Sequence, residues 1–296
     1  MDTLKQTLTS LTYWSLQPAL TAIALALPVI GAGEETHFLY WMGILLLLTV
    51  LEMLIPARAD WQGSVSEKLL LFGFVAVAFI SYGFFEGFFD ATVFPFLESV
   101  RETFGLDIWP SHWPVVVQVL LIFAAYEFVN YWYHRGAHRW GWLWKISGHG
   151  THHAFKHLTA LNTLANHPFE AAFLMLPRML VGFLLGGEVV SVAVGSLFMV
   201  TTLMAHCNLA LNSRVIGWFF TTNRYHIHHH SMVREESNTN YGCACIFWDR
   251  VFGTFSDADT EEAGIGRTQP SYPELYLMPF REPKASEVAP LATEAT

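Results

Sequence analysis

The sequence contains few charged residues. Asp, Glu, Lys and Arg together make up 14% of the 296 residues, whereas soluble globular chains carry about 25%. Basic residues are the scarcer kind, 16 against 25 acidic ones. The chain therefore lacks the clustered Lys and Arg that phosphate binding needs, and we expect no nucleic-acid partner. Apolar residues make up 53%, which is more than a buried core requires and indicates a surface that faces lipid.

Several familiar motifs are also missing. The three cysteines, Cys207, Cys243 and Cys245, give neither zinc-ribbon spacing nor a paired framework, which is compatible with a reducing compartment. The sequence has no Gly-rich phosphate loop, no nucleophile elbow and no H-E-x-x-H of a zincin metalloprotease. No small-residue cleavage site follows the first apolar run, so we expect a retained span there and not a signal peptide.

Long apolar runs dominate the first half of the chain. Four of them, 13–31, 37–55, 69–89 and 114–133, each have about 20 residues, the length of a helix that crosses a hydrocarbon core of about 30 Å. A fifth apolar stretch, 169–206, breaks near Gly186, Gly187 and Glu188. It is either two spans or a hairpin that enters the membrane and returns. We predict an all-α, integral-membrane helical bundle of four transmembrane helices plus this hairpin or two further spans.

The charges in the loops predict the orientation. Lysines and arginines follow the second and fourth runs, whereas acidic residues follow the first and third. Cytoplasmic loops are the ones that carry an excess of basic residues. We therefore expect the N-terminus and a histidine-rich helical cap to be cytoplasmic; a bacterial inner membrane and the endoplasmic reticulum are not distinguished. We expect residues 1–112 to form the N-terminal spans, residues 113–280 to form a second region with the fourth span, the fifth apolar stretch and the cytoplasmic helices, and residues 281–296 to be a disordered tail.

Histidines are concentrated in one third of the chain, with 12 of the 14 between His134 and His230. They form three clusters, HRGAH, HGTHH and HIHHH, whose members lie three or four residues apart and so share one face of a helix. By the same rule His228 points away from its cluster. Eight imidazoles are too many for one zinc ion and suit two first-row metal ions. The predicted ligands are His134, His138, His149, His152, His153, His226, His229 and His230.

The order of these clusters after four apolar runs resembles the fatty acid hydroxylase/sterol desaturase superfamily of integral-membrane di-iron oxygenases. The flanking sequences YWYHRGAHR, LTALNTLANHP, HCN and NTNYGCACIFWDRVFGTF are similar too, so the resemblance covers roughly residues 115–255. It implies a cytoplasm-facing centre of two iron ions that activates O₂, and a lipid substrate from the bilayer. It also implies a separate electron donor, either cytochrome b5-like or ferredoxin-like, and two further ligands, His167 and His206.

Other residues near the clusters have open roles. His157 lies on the same helix face as His153 and is a candidate to support the ligands. Glu127 and Asn130 precede the first cluster, and either could bond an imidazole N–H; the alternative for Glu127 is a buried polar contact between spans. The predicted topology places His37 and His112 on the opposite membrane side. We expect Asn240, Trp248, Asp249 and Arg250 to serve structure.

Three functions fit this pattern. The resemblance alone favours hydroxylation of a lipid C–H bond over desaturation by the same kind of centre. A membrane metal transporter would also collect histidines, but transporters place their ligands near the bilayer midplane, whereas these clusters follow the spans. The lipid could be an acyl chain, a sterol, a carotenoid or a headgroup.

Overall fold

A computed structural model describes residues 2–106, 108–186 and 191–281 of the protein. In these ranges the chain is helical and contains no strand, only the isolated bridges Phe220–Cys245 and Ser231–Ala263. The predicted all-α class is confirmed. Residues 282–296, nearly all of the tail that we predict to be disordered, lie outside the described residues.

The first predicted span lies in a helical segment that starts near the N-terminus. Helix α1 (Asp2–Leu11), a π-helical turn (Thr12–Leu16) and α2 (Gln17–Val29) follow one another directly. Pro28 lies in the last turn of α2, and Gly31 follows with a φ of 68°, a conformation that glycine adopts without steric cost. The helix therefore ends close to the predicted boundary of the span.

Among the described residues, three helices are long and apolar enough to cross a membrane: α3 (Glu34–Leu54), α4 (Val65–Thr103) and α5 (Val115–Arg139). They contain the second, third and fourth predicted spans. Large apolar side chains on their outer faces are exposed, for example Leu46 at 67%, Ile80 at 73% and Phe84 at 68%. Exposed apolar patches of this extent mark a membrane or partner surface.

Helix α4 is much longer than the sequence predicted. Asp90, Glu98 and Glu102 were expected in a loop, but the helix continues through them to Thr103. The segment after Asp90 contains no glycine, and the chain first adopts a left-handed conformation at Gly105, with a φ of 59°. The helix thus ends at a conformational stop signal and not where the acidic residues begin.

The fifth apolar stretch is helical but interrupted. It contains α8 (Glu170–Phe173), α9 (Leu176–Leu185) and α10 (Ser191–His206), after the cap helices α6 (Gly141–Ser147) and α7 (His149–His153) and a 3₁₀ turn (Ala160–Leu164). With ten residues, α9 is only about 15 Å long, half of a hydrocarbon core. Helix α9 is therefore too short to cross the membrane by itself. The predicted break includes Gly187 and Glu188, which lie outside the described residues.

Short helices complete the cap. They are α11 (Ser213–Ile216), α12 (Asn223–His229), α13 (Arg234–Ser237), α14 (Phe247–Phe252) and α15 (Tyr272–Leu277), with 3₁₀ turns at Ala59–Trp61 and Met278–Phe280.

The two largest apolar clusters among the described residues hold the membrane helices and the cap together. In the larger one, side chains of α2, α3, α5 and α10 meet, and Leu48, Phe123 and Leu197 are fully buried. In the second, Phe74 of α4 packs with Phe155 and other residues of the cap. This packing fixes the cap against the ends of the apolar helices, so the histidine-rich segments lie where those helices end.

Candidate metal centre

Four elements bring the histidines together. The last turns of α5 carry His134 and His138, and α7 consists of the second cluster. The third cluster lies at the end of α12, with His230 just after its last residue, and His206 is the last residue of α10. Their side chains form two neighbouring groups. Within each group, the possible ligand atoms all lie within 4.8 Å of one another. The larger group has five histidines and the smaller has four. The five are His134, His138, His149, His153 and His229; the four are His152, His206, His226 and His230.

Where two of these histidines are neighbours in the sequence, one belongs to each group. His152 belongs to the smaller group and His153 to the larger, while His229 and His230 divide in the same way. The rings of His153 and His230 stack with a centroid separation of 4.3 Å, so the groups touch. The sequence predicted that the three imidazoles of each H-x-x-H-H cluster lie on one helix face. In the structure, the imidazoles on that face divide between the two groups.

The Nε2 atoms in each group face one another at close range. In the larger group, His229 Nε2 lies 2.9 Å from His134 Nε2, and His138 Nε2 lies 3.1 Å from His153 Nε2. In the smaller group, His206 Nε2 lies 3.1 Å from the Nε2 atom of His152 and, at the same distance, from that of His226. Metal–nitrogen bonds of about 2.1 Å at right angles would place two nitrogen atoms about 3 Å apart.

Backbone carbonyls fix the tautomers of several of these rings. His134 Nδ1 donates to Tyr241 O at 2.6 Å, His229 Nδ1 to Thr239 O at 2.7 Å, and His206 Nδ1 to Thr202 O at 2.9 Å. A carbonyl only accepts, so each of these rings carries its proton on Nδ1 and leaves a lone pair on Nε2. Lone pairs that face each other at 2.9 Å repel unless a cation lies between them. The donor set therefore fits divalent transition-metal ions that bind imidazole.

Burial keeps the rings in the form that binds metal. It lowers the pKa values of His152, His153, His226, His229 and His230 well below their ordinary value of 6.5, and nearby imidazoles lower them further. These rings are therefore neutral at physiological pH. Only His138 among the nine is more than marginally exposed, so the larger group is the one that can be reached from outside.

Acid is expected to destabilise the metal-free protein. Because the folded pKa values of the five buried rings lie below 6.5, the unfolded chain binds more protons than the folded chain once the pH falls below that value, and stability decreases. Burial raises the pKa of Asp249 to about 6, so this carboxyl group acts in the opposite direction, but within the cap it is outnumbered by the five rings. Thermal unfolding in detergent should show a Tm several degrees lower at about pH 5.5 than at about pH 7.5. An equal or higher Tm in acid would contradict it.

A carboxylate that the sequence did not single out supports the larger group. Glu170 Oε1 accepts from His149 Nδ1 at 2.5 Å, and Tyr133 donates its hydroxyl to the same oxygen at 3.4 Å. His149 Nε2 is buried and has no hydrogen-bond partner among the described residues, so its lone pair is directed at the group. A carboxylate on the far nitrogen orients a ligating histidine and raises its basicity. The only sequence signal was an acidic residue at the start of an apolar stretch.

The segment after α13 carries two of the orienting carbonyls. Asn240 has a φ of 53°, in the left-handed region that asparagine tolerates better than most residues, and its side chain bonds the backbone of Tyr225 and Ser256. Asp249 accepts from Tyr241 N at 2.8 Å and Gly242 N at 2.7 Å. Both residues hold the backbone that presents Tyr241 O to His134, in line with the structural role predicted for them.

Glu127 and Asn130 do not bond an imidazole. Asn130 Nδ2 donates to Glu127 Oε1 at 3.2 Å, and Glu127 Oε2 accepts from Ala244 N and Cys245 N. The predicted contact with the first cluster is wrong, because carbonyls and Glu170 supply the Nδ1 acceptors in this region. The alternative, a buried polar contact of a span, describes Glu127 better.

The remaining histidines lie outside both groups. His167 Nε2 bonds Tyr276 O at 3.2 Å, and Nδ1 accepts from Phe169 N, so the structure does not bring this predicted ligand to the centre. His228 bonds Thr260 and Ser256 and points away, as predicted. His157 lies beside Trp61, His37 bonds Ser196, and His112 contacts Trp113.

Comparison with known proteins matches the part of the chain that carries the histidines. The fatty acid hydroxylase family profile matches residues 119–254, from α5 through α14. Ornithine lipid hydroxylase OlsE of Rhizobium tropici is 28% identical, over 92% of this chain and 85% of its own length. Methylsterol monooxygenase 2-2 of Arabidopsis thaliana is 27% identical, over 65% of this chain and 69% of its own. Alkylglycerol monooxygenase of Xenopus tropicalis is 28% identical, over 55% of this chain and 34% of its own.

No solved structure matches the chain significantly. The family match nevertheless covers every histidine of both groups, and one relative aligns with nearly the whole chain. The chain is therefore similar to the fatty acid hydroxylase family over the region that carries the histidines.

Proposed function

We propose that the protein is a membrane-bound di-iron oxygenase that hydroxylates a C–H bond of a lipid. The observation that carries the proposal is the pair of touching all-histidine groups at the ends of apolar helices. An all-imidazole set binds iron as well as zinc, copper or nickel, and the similarity to the fatty acid hydroxylase family favours iron.

The two histidine groups are the proposed binding sites for the two ions. The larger group would hold one ion and the smaller the other, which makes nine ligands: the eight of the clusters and His206. When bound, the ions supply the O₂ activation that no side chain can provide. The chain's own residues fix four of the imidazoles through carbonyls and Glu170, and burial shields all ligands but His138 from water.

Electrons would come from a separate protein, cytochrome b5-like or ferredoxin-like. The three cysteines of this sequence are fewer than the four thiolates that an iron–sulfur cluster of the ferredoxin type needs. The loop charges support a cytoplasmic position for the N-terminus and the centre, where such donors are available. Residues 1–112 would then anchor the enzyme and 113–280 would form its catalytic region.

Hydroxylation is favoured over desaturation because the three relatives described above are named a hydroxylase and two monooxygenases. A metal transporter is the rival of another class. Its ligands would lie at the bilayer midplane, whereas these ligands lie in the cap and at the ends of α5 and α10. The relative that covers most of this chain acts on an ornithine lipid, so amino-acid-containing membrane lipids are the first substrates to test.

The test is lipid analysis of cells with and without the protein. We expect a lipid that gains the mass of one oxygen atom in cells that express the wild-type chain and not in cells that express His149→Ala. A loss of two hydrogens would identify a desaturase. Tight stoichiometric zinc in the purified protein, together with no oxidised lipid in cells that make an electron donor, would overturn the oxygenase proposal.

A further inference from the structure

Two carboxylates in the apolar helices are buried but do not reach the histidines. Glu52 on α3 is 6% exposed and Glu127 on α5 is 0% exposed. Glu86 on α4, by contrast, is partly exposed and pairs with Arg178 at 2.9 Å. A carboxylate in an apolar environment is costly unless hydrogen bonds satisfy it, so the partners of Glu52 and Glu127 indicate what these residues do.

Glu127 holds the segment that orients two ligands. Its Oε2 atom accepts from Ala244 N at 2.7 Å and from Cys245 N at 2.9 Å. The same segment presents Tyr241 O to His134, and Ala244 O accepts from Thr221 N just before α12. A shift of this backbone would therefore move the carbonyl behind His134 and the start of the helix that carries the third cluster.

Glu52 makes the same arrangement beside the smaller group. Its Oε1 atom accepts from Asn208 N at 2.8 Å and from Ala160 N at 2.9 Å. Asn208 lies two residues after His206. Ala160 begins the 3₁₀ turn whose Thr163 Oγ1 donates to Thr202 O, the carbonyl that also accepts from His206 Nδ1. One carboxylate thus holds the backbone on both sides of this ligand.

We propose that Glu52 and Glu127 are positioning residues of the proposed metal centre. Each is fixed on a rigid apolar helix and holds two backbone N–H groups, Glu127 for the larger histidine group and Glu52 for the smaller. Hydrogen bonds weaken steeply when they are misaligned, so two of them on one carboxyl oxygen transfer the rigidity of the membrane helices to the ligand-bearing segments.

Amide hydrogen exchange of the metal-free protein in detergent tests the hydrogen bonds directly. In the wild type, peptides that contain Ala160, Asn208, Ala244 and Cys245 should exchange slowly. Glu127→Leu should speed exchange at Ala244 and Cys245 by about tenfold and leave Ala160 and Asn208 unchanged, and Glu52→Leu should do the reverse. Each variant is the control for the other. Glu86→Leu, which leaves Arg178 paired with Asp90, should change neither set.

Metal content and the glutamine variants separate positioning from general stability. Glu127→Leu and Glu52→Leu should each lower the bound metal several-fold, whereas Glu127→Gln and Glu52→Gln should retain it, because a side-chain amide oxygen accepts the same two hydrogen bonds. Three outcomes would overturn the proposal: fast wild-type exchange at the four amides, wild-type metal content in the leucine variants, or equal loss in the glutamine and leucine variants. This proposal rests on the proposed metal centre, but its readouts need no lipid product. A failure of the oxygenase proposal can therefore be distinguished from a failure of the positioning proposal.

Discussion

His229→Ala is expected to abolish lipid oxidation and to lower the metal bound per chain. His229 is fully buried, its Nδ1 donates to Thr239 O at 2.7 Å, and its Nε2 faces that of His134 at 2.9 Å. Alanine removes a nitrogen donor from the larger group. We expect activity to fall by more than about 100-fold, since loss of residues that only support a ligand already costs 10- to 100-fold. Metal per chain by mass spectrometry and product formation in cells measure the two effects.

The neighbouring residue provides the control. His228 lies next in the chain but bonds Thr260 Oγ1 at 2.8 Å and Ser256 Oγ at 3.0 Å. His228→Ala should keep wild-type metal content while it lowers the Tm, because the ring is buried and ties the 256–260 segment to α12. If both variants lost metal equally, or if His229→Ala kept metal and activity, the assignment of the larger group would fail.

The histidine spacing predicted much of the centre but not how it divides. Residues three and four positions apart share a helix face, which correctly separated His228 from its neighbours. The division between two groups depends on how α5, α7, α10 and α12 approach one another, and these contacts come from residues distant in the chain. The outcome for His167 could not be predicted for the same reason. Its partner Tyr276 lies in a cap helix that is distant in the sequence, and no local pattern predicts where that helix packs.

The groups that orient the imidazoles were even less accessible to sequence reasoning. Most are backbone carbonyls, such as Tyr241 O and Thr202 O, and every residue has a carbonyl, so no residue type marks them. Glu127 had the right chemistry, but its distance of seven residues from His134 suggested a contact that the fold does not make. In the fold as a whole, the apolar runs predicted the long helices, because a helix that faces lipid needs a long run of apolar residues. The end of α4 could not be predicted from the acidic residues, because it depends on the conformation of Gly105.

Glu170→Ala is expected to weaken metal binding by about 10- to 100-fold. Glu170 Oε1 accepts from His149 Nδ1 at 2.5 Å, and both side chains are almost completely buried. Without the carboxylate, His149 loses the partner that fixes its ring orientation and its tautomer, so its Nε2 lone pair is no longer held toward the group. Competition with a chelator of known affinity measures the change, and the metal-free Tm shows whether the fold survives.

Two variants show which property of Glu170 matters. Glu170→Gln keeps an oxygen that can accept from His149 Nδ1 but removes the charge, so its loss of affinity should be smaller than that of alanine. Tyr133→Phe removes the weaker hydrogen bond to Glu170, at 3.4 Å, and leaves the contact with His149 in place; we expect affinity within about twofold of the wild type. Wild-type affinity in Glu170→Ala would show that His149 needs no carboxylate. An equal loss in Tyr133→Phe would mean that Tyr133, through its bond to Glu170, is needed to hold the carboxylate against His149.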